Sequence, residues 1–226
     1  KAYDTAAELI LKATDEFTEM FPGSASVNNF YQPVKMTDWT EGFWTGEVWL
    51  AYEKTGNEKL KKTAETEVEN FMRRIKDRIV VDHHDMGFLF SPSCVAAYKL
   101  TGNETGKEAA LMAADNLLGR FQEKGQFVQA WGELGAEDNY RLIIDCLLNM
   151  PLLFWAGEVT GDPKYAEKAQ AHIKTAMKCI IREDNSTYHT YFFDKNTGEP
   201  LRGVTHQGYR DGSAWARGQA WGVYGS

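Results

Sequence analysis

The sequence has no hydrophobic run long enough to cross a bilayer and no block of basic residues. Its 25 Lys and Arg are outnumbered by 32 Asp and Glu, which gives a net charge of -7 and argues against a nucleic-acid or anionic-membrane surface. The three cysteines, Cys94, Cys146 and Cys179, lie in helix-like runs and predict neither a disulfide framework nor a metal site. We therefore expect a soluble protein of a reducing compartment, the cytoplasm. If a leader preceded Lys1 and was removed, the periplasm is the alternative.

Aromatic residues, in contrast, are plentiful. The chain is 43% hydrophobic and 13% aromatic, and it contains seven Trp. This is ample apolar material for a globular core.

A Thr-Gly pair recurs three times, at residues 55–56, 101–102 and 160–161, with an apolar run before it and an amphipathic stretch after it. Aligned on the pairs, the apolar positions of the following stretches coincide and mark one face of an α-helix. These positions are Leu60, Ala64, Val68, Phe71 and Ile75, then Gly106, Ala110, Ala114, Leu117 and Phe121, then Tyr165, Ala169, Ile173, Ala176 and Ile180. The pattern predicts a repeated αα-hairpin in which Gly ends one helix and Asn or Asp caps the next.

Stacked hairpins with apolar inner helices and amphipathic outer helices form a two-layer ring or solenoid, so the predicted fold class is all-α. Thr5–Phe17 adds an outer helix and Ser213–Tyr224 begins an inner one. The turn composition DKNTGEP between Tyr188–Phe193 and Leu201–His206 predicts a small β-hairpin.

The links from outer to inner helices are long and carry the unusual residues. They are Thr37–Thr45, Val81–Gly87, Val128–Asn139 and Asn185–Asp211. If the inner helices all run in the same direction, these links meet at one end of the fold, which is then the candidate active-site face.

Asp85 and Asp145 each begin an apolar run that is typical of a buried helix. Buried carboxylates are usually paired, hydrogen-bonded or functional. Burial among Ile and Leu raises the pKa of Asp145, and a nearby Asp85 raises one of the two further, so one carboxyl can serve as a general acid. The alternative is that both are helix N-caps or first-turn acids.

Tryptophans and polar residues that suit a sugar lie on or near the links, although ordinary core packing is the alternative for each Trp. Arg217 suits an anionic substrate group or, alternatively, a structural ion pair. A metal cluster of His83, His84 and Asp85 is disfavoured, because adjacent residues seldom converge on one ion. The two histidines suit caps or hydrogen-bond partners, and neither a metal nor a cofactor is predicted.

Three segments carry a resemblance to a known family: HHDMGFLFSPSCVAAYKLTGN, NYRLIIDCLLNMPLLFWA and THQGYRDGSAWARGQAWGVYG. They resemble the unsaturated glucuronyl hydrolases of the glycoside hydrolase family 88 type, and the similarity covers nearly the whole chain. The resemblance implies an (α/α)6 toroid. We expect a single toroid domain over residues 1–226, an incomplete ring that lacks the family's C-terminal third.

The resemblance also implies an activity, namely release of the 4,5-unsaturated uronic acid that polysaccharide lyases leave at the non-reducing end of glycosaminoglycan fragments. Asp145 matches the family's general acid/base and Asp85 its assistant. The implied substrate contacts are Trp39, Trp44, Trp131, His189, Gln207, Trp215, Arg217 and Trp221. The implied chemistry is hydration of the C4=C5 enol ether, so the carboxylate-spacing rule for ordinary glycosidases does not apply. We expect Asp85 and Asp145 to open into one cleft lined by tryptophans.

Two other interpretations stay open. A sister enzyme would act on unsaturated galacturonyl-rhamnose from pectin, although HHDMGF favours the glucuronyl type because it supplies Asp85. A non-catalytic helical-repeat scaffold or sugar-binding module would not bring Asp85 and Asp145 together. The expected partner is an unsaturated oligosaccharide, and neither a nucleic acid nor a membrane is expected.

Overall fold

A computed structural model describes residues 1–225. Its helices are α1 (Ala2–Ala13), α2 (Glu41–Thr55), α3 (Glu58–Lys76), α4 (Met86–Phe90), α5 (Ala96–Thr101), α6 (Glu104–Leu118), α7 (Met150–Thr160), α8 (Pro163–Ile180) and α9 (Ala216–Gly225). Its strands are β1 (Phe21–Val27), β2 (Phe30–Val34), β3 (Phe121–Gln122), β4 (Phe127–Val128), β5 (Arg141–Ile143), β6 (Thr190–Phe193) and β7 (Pro200–Val204). Within residues 1–225, no helix is both long and apolar enough to cross a membrane.

The chain divides into two compact units. The first comprises Lys1–Val81 and Phe88–Ala113. The second comprises Asp82–Gly87 and Ala114–Ser226, described to residue 225. Each unit is built around the helical hairpins that the sequence predicts.

In the first unit, α2 leads into α3 and α5 leads into α6. Gly56 and Gly102 end the first helix of each pair with φ values of 66° and 71°. A Cβ at either glycine would meet nothing within 4 Å, so the left-handed backbone, not crowding, favours glycine there. Asn57 caps α3 by accepting a hydrogen bond from the backbone N–H of Lys59.

The predicted apolar face of α3 forms the core of the first unit. Leu60, Ala64, Val68 and Phe71 are completely buried. The helix before Gly102 runs from α4 to α5 through a wider π turn, Ser91–Val95, that contains a proline. Proline lacks the N–H that regular α-helical bonding needs, which accounts for the irregular turn.

The hairpin of β1 and β2, also in the first unit, was not predicted. Its turn residues, Asn28 and Asn29, have φ values of 52° and 65°, which primed hairpin turns require. The Asn-Asn pair was therefore a turn signal that the helical repeat obscured. The predicted helix Thr5–Phe17 is present as α1, but it ends at Ala13.

The second unit contains the third hairpin, α7 and α8, joined by Gly161 with a φ of 72°. Tyr165, Ala169 and Ala176 on the predicted face of α8 are buried. The corresponding face of α6 is shorter than predicted, because α6 ends at Leu118 and Phe121 lies in β3.

A three-stranded antiparallel sheet, β5–β6–β7, completes the second unit. The predicted hairpin is confirmed as β6 and β7. Strand β5 was not predicted; it pairs Ile143 with Thr190, and the backbone N–H of Ile144 donates to the carbonyl of His189 at 3.0 Å. The sheet therefore fixes the start of the Asp145 segment against the hairpin.

Glycines allow α9 to lie close to the Asp145 segment. A Cβ at Gly222 would lie 3.4 Å from Ile144 Cδ1, and one at Gly225 would lie 2.6 Å from Leu147 Cβ. The helix predicted from Ser213 is present as α9, which begins at Ala216, and its small residues set how closely it packs.

Candidate active site

The two predicted acidic residues converge in the second unit. Asp85 ends the loop before α4, and Asp145 lies in the first turn of a 3₁₀ segment, Ile144–Asn149, that leads into α7. The Nε2 atom of His84 lies 3.4 Å from Oδ1 of Asp85 and 3.4 Å from Oδ1 of Asp145. A single buried imidazole therefore lies against both carboxyl groups.

A close backbone approach fixes the distance between the segments that carry the two acids. Gly87 follows Asp85 by two residues, and Asn149 follows Asp145 by four. A Cβ at Gly87 would lie 2.3 Å from Cα of Asn149, so only glycine fits there without displacing one of the segments.

His83 supports the same loop. Its Nδ1 atom lies 3.1 Å from the backbone N and 3.1 Å from Oδ2 of Asp85. Its backbone forms an antiparallel bridge with Trp131. This bridge brings the tryptophan of one long link to the acidic loop of another.

The surroundings of Asp145 favour its protonated form. Burial, followed by the charge of Asp85, raises its pKa to about 8, and the charge of Arg217 opposes this shift. Its Oδ1 atom is buried and has no hydrogen-bond partner among residues 1–225. A carboxyl in these surroundings keeps its proton at neutral pH and can donate it.

The surroundings of Asp85 favour its ionised form. Burial raises its pKa, but the interaction with His84 lowers it. Contacts with His83 and a hydrogen bond from Asn149 lower it further, so the pKa lies below its usual value. The two acids therefore differ in protonation at neutral pH.

His84 is neutral at the same pH. Burial lowers its pKa to about 4, although the charge of Asp85 opposes the shift. The charges of His83, Arg120 and Arg141 lower it further.

Trp131 stands at the edge of this cluster, with 37% of its surface exposed. Its ring centroid is 6.1 Å from that of His84, and the guanidinium of Arg141 lies 4.9 Å from its centroid. Arg120 orders the loop around it by donating to the carbonyls of Gln129 and Gly132. The indole is therefore partly open to solvent on an ordered loop.

His189 precedes β6 and is buried. Its Nδ1 atom is 2.7 Å from Oγ1 of Thr190, and its ring centroid is 4.9 Å from that of Trp215. Burial, and then the charge of His206, lower its pKa to about 4. Its Nε2 atom is buried without a hydrogen-bond partner in the described part of the chain.

Arg217 and its neighbours form an exposed group on α9 and the link before it. Arg217 donates to Oε1 of Gln207 at 2.9 Å, and its guanidinium lies 4.6 Å from the ring centroid of Trp215. Trp221 is half-buried and packs on the apolar cluster that includes Leu147. The second unit thus contains six of the eight residues predicted as substrate contacts.

The other two predicted contacts, Trp39 and Trp44, belong to the first unit. Trp39 is half-buried, with its ring centroid 5.3 Å from that of Phe88. Trp44 is buried, and its Nε1 donates to Oε1 of Glu67 at 2.7 Å and to the carbonyl of Phe17 at 3.2 Å. Those partners give Trp44 a role in packing the first unit.

One group of donor atoms is close enough to share a cation. His84, Asp85 and Asp145 each place one donor atom within 4.8 Å of the others. This group differs from the disfavoured cluster of adjacent residues because Asp145 takes the place of His83. The absence of a metal stays a prediction.

His84, Arg141 and Asn149 were not predicted from the sequence as site residues. Arg141 and Asn149 stand four residues before and four residues after Asp145, in the same motif. Their place in the motif that carries Asp145 was the usable signal. Arg141 reaches the site from strand β5, which was not predicted.

Comparisons with known proteins agree with this geometry. Residues 9–226 match the model of Glycosyl Hydrolase Family 88, and the chain therefore belongs to that family. An unsaturated chondroitin disaccharide hydrolase of Streptococcus agalactiae serotype III is 52% identical over 225 residues, which is 100% of this chain and 56% of that protein.

Solved structures give the same result. The crystal structure of unsaturated glucuronyl hydrolase from Streptococcus agalactiae matches 99% of this chain and 57% of its own with a TM-score of 0.95 at 52% identity. That of the unsaturated glucuronyl hydrolase responsible for the degradation of glycosaminoglycan, from Bacillus sp. GL1, matches 100% of this chain and 60% of its own, with a TM-score of 0.96 at 44% identity. The predicted fold class, an all-α fold of the (α/α) toroid type, is confirmed. The chain spans little more than half the length of these relatives.

Proposed function

We propose that the protein is a glycoside hydrolase that releases the 4,5-unsaturated uronic acid from the non-reducing end of lyase-generated glycosaminoglycan oligosaccharides. One observation carries the proposal. Asp145, with a pKa raised to about 8, and Asp85, with a lowered pKa, lie against the same imidazole. The names of the relatives supply the substrate class, an unsaturated chondroitin disaccharide in one case and a glycosaminoglycan in the other.

The first chemical step is proton transfer to carbon. The C4=C5 bond of the unsaturated sugar is an enol ether, so its electron pair at C4 can accept a proton. Asp145 holds a proton at neutral pH and gives it to C4. Positive charge then develops at C5 and the ring oxygen, and the carboxylate of Asp85 stabilises it.

The second step is addition of water. The carboxylate left on Asp145 removes a proton from water as the water oxygen bonds to C5. The resulting C5 hemiketal opens to a ketone, and its ring oxygen takes a proton and becomes the hydroxyl on C1. C1 is now a hemiacetal that also carries the aglycone, and it collapses to an aldehyde and the free alcohol. One carboxyl therefore acts first as an acid and then as a base.

The aromatic and basic residues around the acids bind the sugar in this proposal. Trp131 presents an open indole face to the C–H groups of a sugar ring, with Trp215 and Trp221 as further aromatic contacts. Arg217 pairs with the substrate carboxylate, and Gln207 orients its guanidinium. The unpartnered Nε2 atom of His189 is free for a substrate hydroxyl. Trp39 is a further proposed contact, while nothing in its surroundings supports Trp44.

Turnover of two unsaturated disaccharides tests the proposal. The intact protein is expected to remove the ultraviolet absorbance of the conjugated double bond from unsaturated chondroitin disaccharide, and to act more slowly on unsaturated rhamnogalacturonan disaccharide. The reverse preference would instead identify the protein as the sister enzyme that acts on pectin fragments. Binding of both sugars without turnover of either would make it a sugar-binding module.

The cytoplasm is the proposed compartment. The three cysteines are buried and unpaired among the residues that the structure describes, and free thiols persist in reducing compartments. Fractionation of the source cells is expected to place the protein with cytoplasmic markers; recovery with periplasmic markers would contradict this.

A further inference from the structure

His84 lies next to the two acids and is almost completely buried, with 1% of its side chain accessible. Its two ring nitrogens have different surroundings. Nε2 faces one oxygen of each carboxyl group at 3.4 Å, whereas Nδ1 is buried and has no hydrogen-bond partner within residues 1–225. The proposed mechanism gives this residue no role.

The surroundings select one tautomer of the neutral imidazole. A proton on Nδ1 would leave a buried donor unsatisfied and would point the lone pair of Nε2 at two carboxyl oxygens. A proton on Nε2 instead places an N–H between Oδ1 of Asp85 and Oδ1 of Asp145. The 3.4 Å separations are long for hydrogen bonds, but such contacts in a free enzyme often shorten when the substrate binds.

The N–H of His84 also distinguishes the two oxygens of Asp145. Oδ1, the oxygen nearest to His84, is buried, yet 21% of the side chain is exposed. An oxygen that faces an N–H serves as an acceptor, so the proton of a neutral Asp145 belongs on the other oxygen.

We propose that His84 is a positioning residue: its Nε2–H faces Oδ1 of Asp145 and thereby places the transferable proton on Oδ2, the oxygen on the open side. The same N–H also faces Oδ1 of Asp85 and keeps that oxygen directed towards His84 and Asp145. The inference rests on the proposed function for its catalytic meaning, but its geometric content can be tested without turnover.

Several charged or titratable groups lie around His84 and the two acids. They are His83 and Asp85 on the acidic loop, Arg120 after α6, Arg141 on β5, Cys146 beside Asp145, His172 on α8, His189 before β6, and Arg217 on α9. Any pH effect of changing His84 is therefore measured as a difference between variants that retain all eight of these groups.

Two amide substitutions separate positioning from packing. Gln places its amide nitrogen near the Nε2 position of His84, whereas Asn, shorter by one methylene, reaches only the Nδ1 position. We expect His84→Gln to keep most of the turnover and His84→Asn to lose on the order of a hundredfold in kcat with KM little changed. The alkaline limb of the rate profile should move to higher pH in His84→Asn only. That variant removes the N–H that faces the carboxylate of Asp145, and the loss of this donor raises the pKa of Asp145. Equal losses in both folded variants, with unmoved limbs, would mean that His84 only packs.

Neutron diffraction of the deuterated protein at about pH 6 tests the geometry directly. That pH lies between the pKa of about 4 for His84 and about 8 for Asp145. The proposal expects deuterium on Nε2 of His84 and on Oδ2 of Asp145. Deuterium on Nδ1 of His84, or on Oδ1 of Asp145, would overturn it. If that geometry is found and no unsaturated sugar is turned over, the proposed function fails and the assignment of the proton stands.

Discussion

Asp145 and Asp85 carry the same functional group, but their surroundings shift their pKa values in opposite directions. Burial and then the charge of Asp85 raise the pKa of Asp145, whereas contacts with His84 and His83 outweigh burial at Asp85. Because the two groups interact, their protons leave in steps that belong to the pair. At neutral pH the pair holds one proton, which an acid catalyst needs.

Replacement of Asp145 tests its role in proton transfer. We expect Asp145→Asn to retain its fold and lose about a hundredfold or more in kcat, because an amide cannot donate a proton to carbon. Steady-state kinetics of the intact protein measure this loss. Glu158→Gln removes an exposed carboxyl of the same unit, on α7, and is the control. Nearly full activity in Asp145→Asn would exclude the proposed role.

The raised pKa of Asp145 also affects stability. Between pH 3.8, the ordinary pKa of an aspartate, and the raised pKa of about 8, the folded state binds a proton that the unfolded state has released. The free energy of unfolding therefore falls as pH rises through that window. As pH rises from 4 to 8, the free energy of unfolding of Asp145→Asn, measured by urea titration, should increase relative to that of the parent. The expected increase is roughly 2–4 kcal/mol, after allowance for solvent screening. A difference that does not change with pH would show that Asp145 ionises normally.

Replacement of Asp85 should move the pH profile. The charge of Asp85 is the second cause, after burial, of the raised pKa of Asp145. Asp85→Asn removes that charge, so the alkaline limb of kcat/KM should move to lower pH, while substrate binding is largely kept. Rate profiles for the parent, Asp85→Asn and Glu158→Gln give the comparison. An alkaline limb that stays at the parental pH would mean that the two acids do not interact.

At the scale of elements, three short irregular segments carry the site. They are the loop Asp82–Asp85, the 3₁₀ segment that holds Asp145, and the residues just before β6. The repeated Thr-Gly pair predicted the hairpins because helix periodicity and C-cap glycine are local signals. Strand β5 is only three residues long and pairs with a strand almost fifty residues further along the chain. No local pattern specifies such a strand.

The approach of Gly87 to Asn149 is the element-level feature that a single substitution tests. In Gly87→Ala the new Cβ would meet backbone 2.3 Å away, so the acidic loop must move from the Asp145 segment. We expect a loss of about 1–3 kcal/mol of stability and a fall in kcat on the order of a hundredfold.

Gly135→Asn is the control for Gly87→Ala. Gly135 lies in the same unit with a φ of 74°, and a Cβ there would meet nothing within 4 Å. Asn tolerates that backbone, so this variant should keep nearly parental stability and turnover. If Gly87→Ala behaved in the same way, the approach of Gly87 to Asn149 would not control the distance between the acids.

At the scale of the whole molecule, the sequence predicted the fold class and the family, because the three motifs are specific as a set and the resemblance covers nearly the whole chain. It also selected both acids, since a carboxylate at the start of an apolar run can be recognised in the sequence alone. It did not select His84 as their common neighbour. That role depends on which ring nitrogen faces which oxygen, and this is decided by contacts between segments sixty residues apart.

The central claim is that proton transfer from Asp145 to C4 is followed by attack of water on C5. The most direct test is NMR analysis of the products formed from an unsaturated chondroitin disaccharide by the intact protein in heavy water with added methanol. The account predicts deuterium at C4 of the released keto sugar and, in the methanol-trapped product, a methyl group bonded through oxygen to C5. A saturated glucuronide with the same aglycone should be inert. A methyl glycoside at C1 would contradict the account, because it would place the attack at the anomeric carbon.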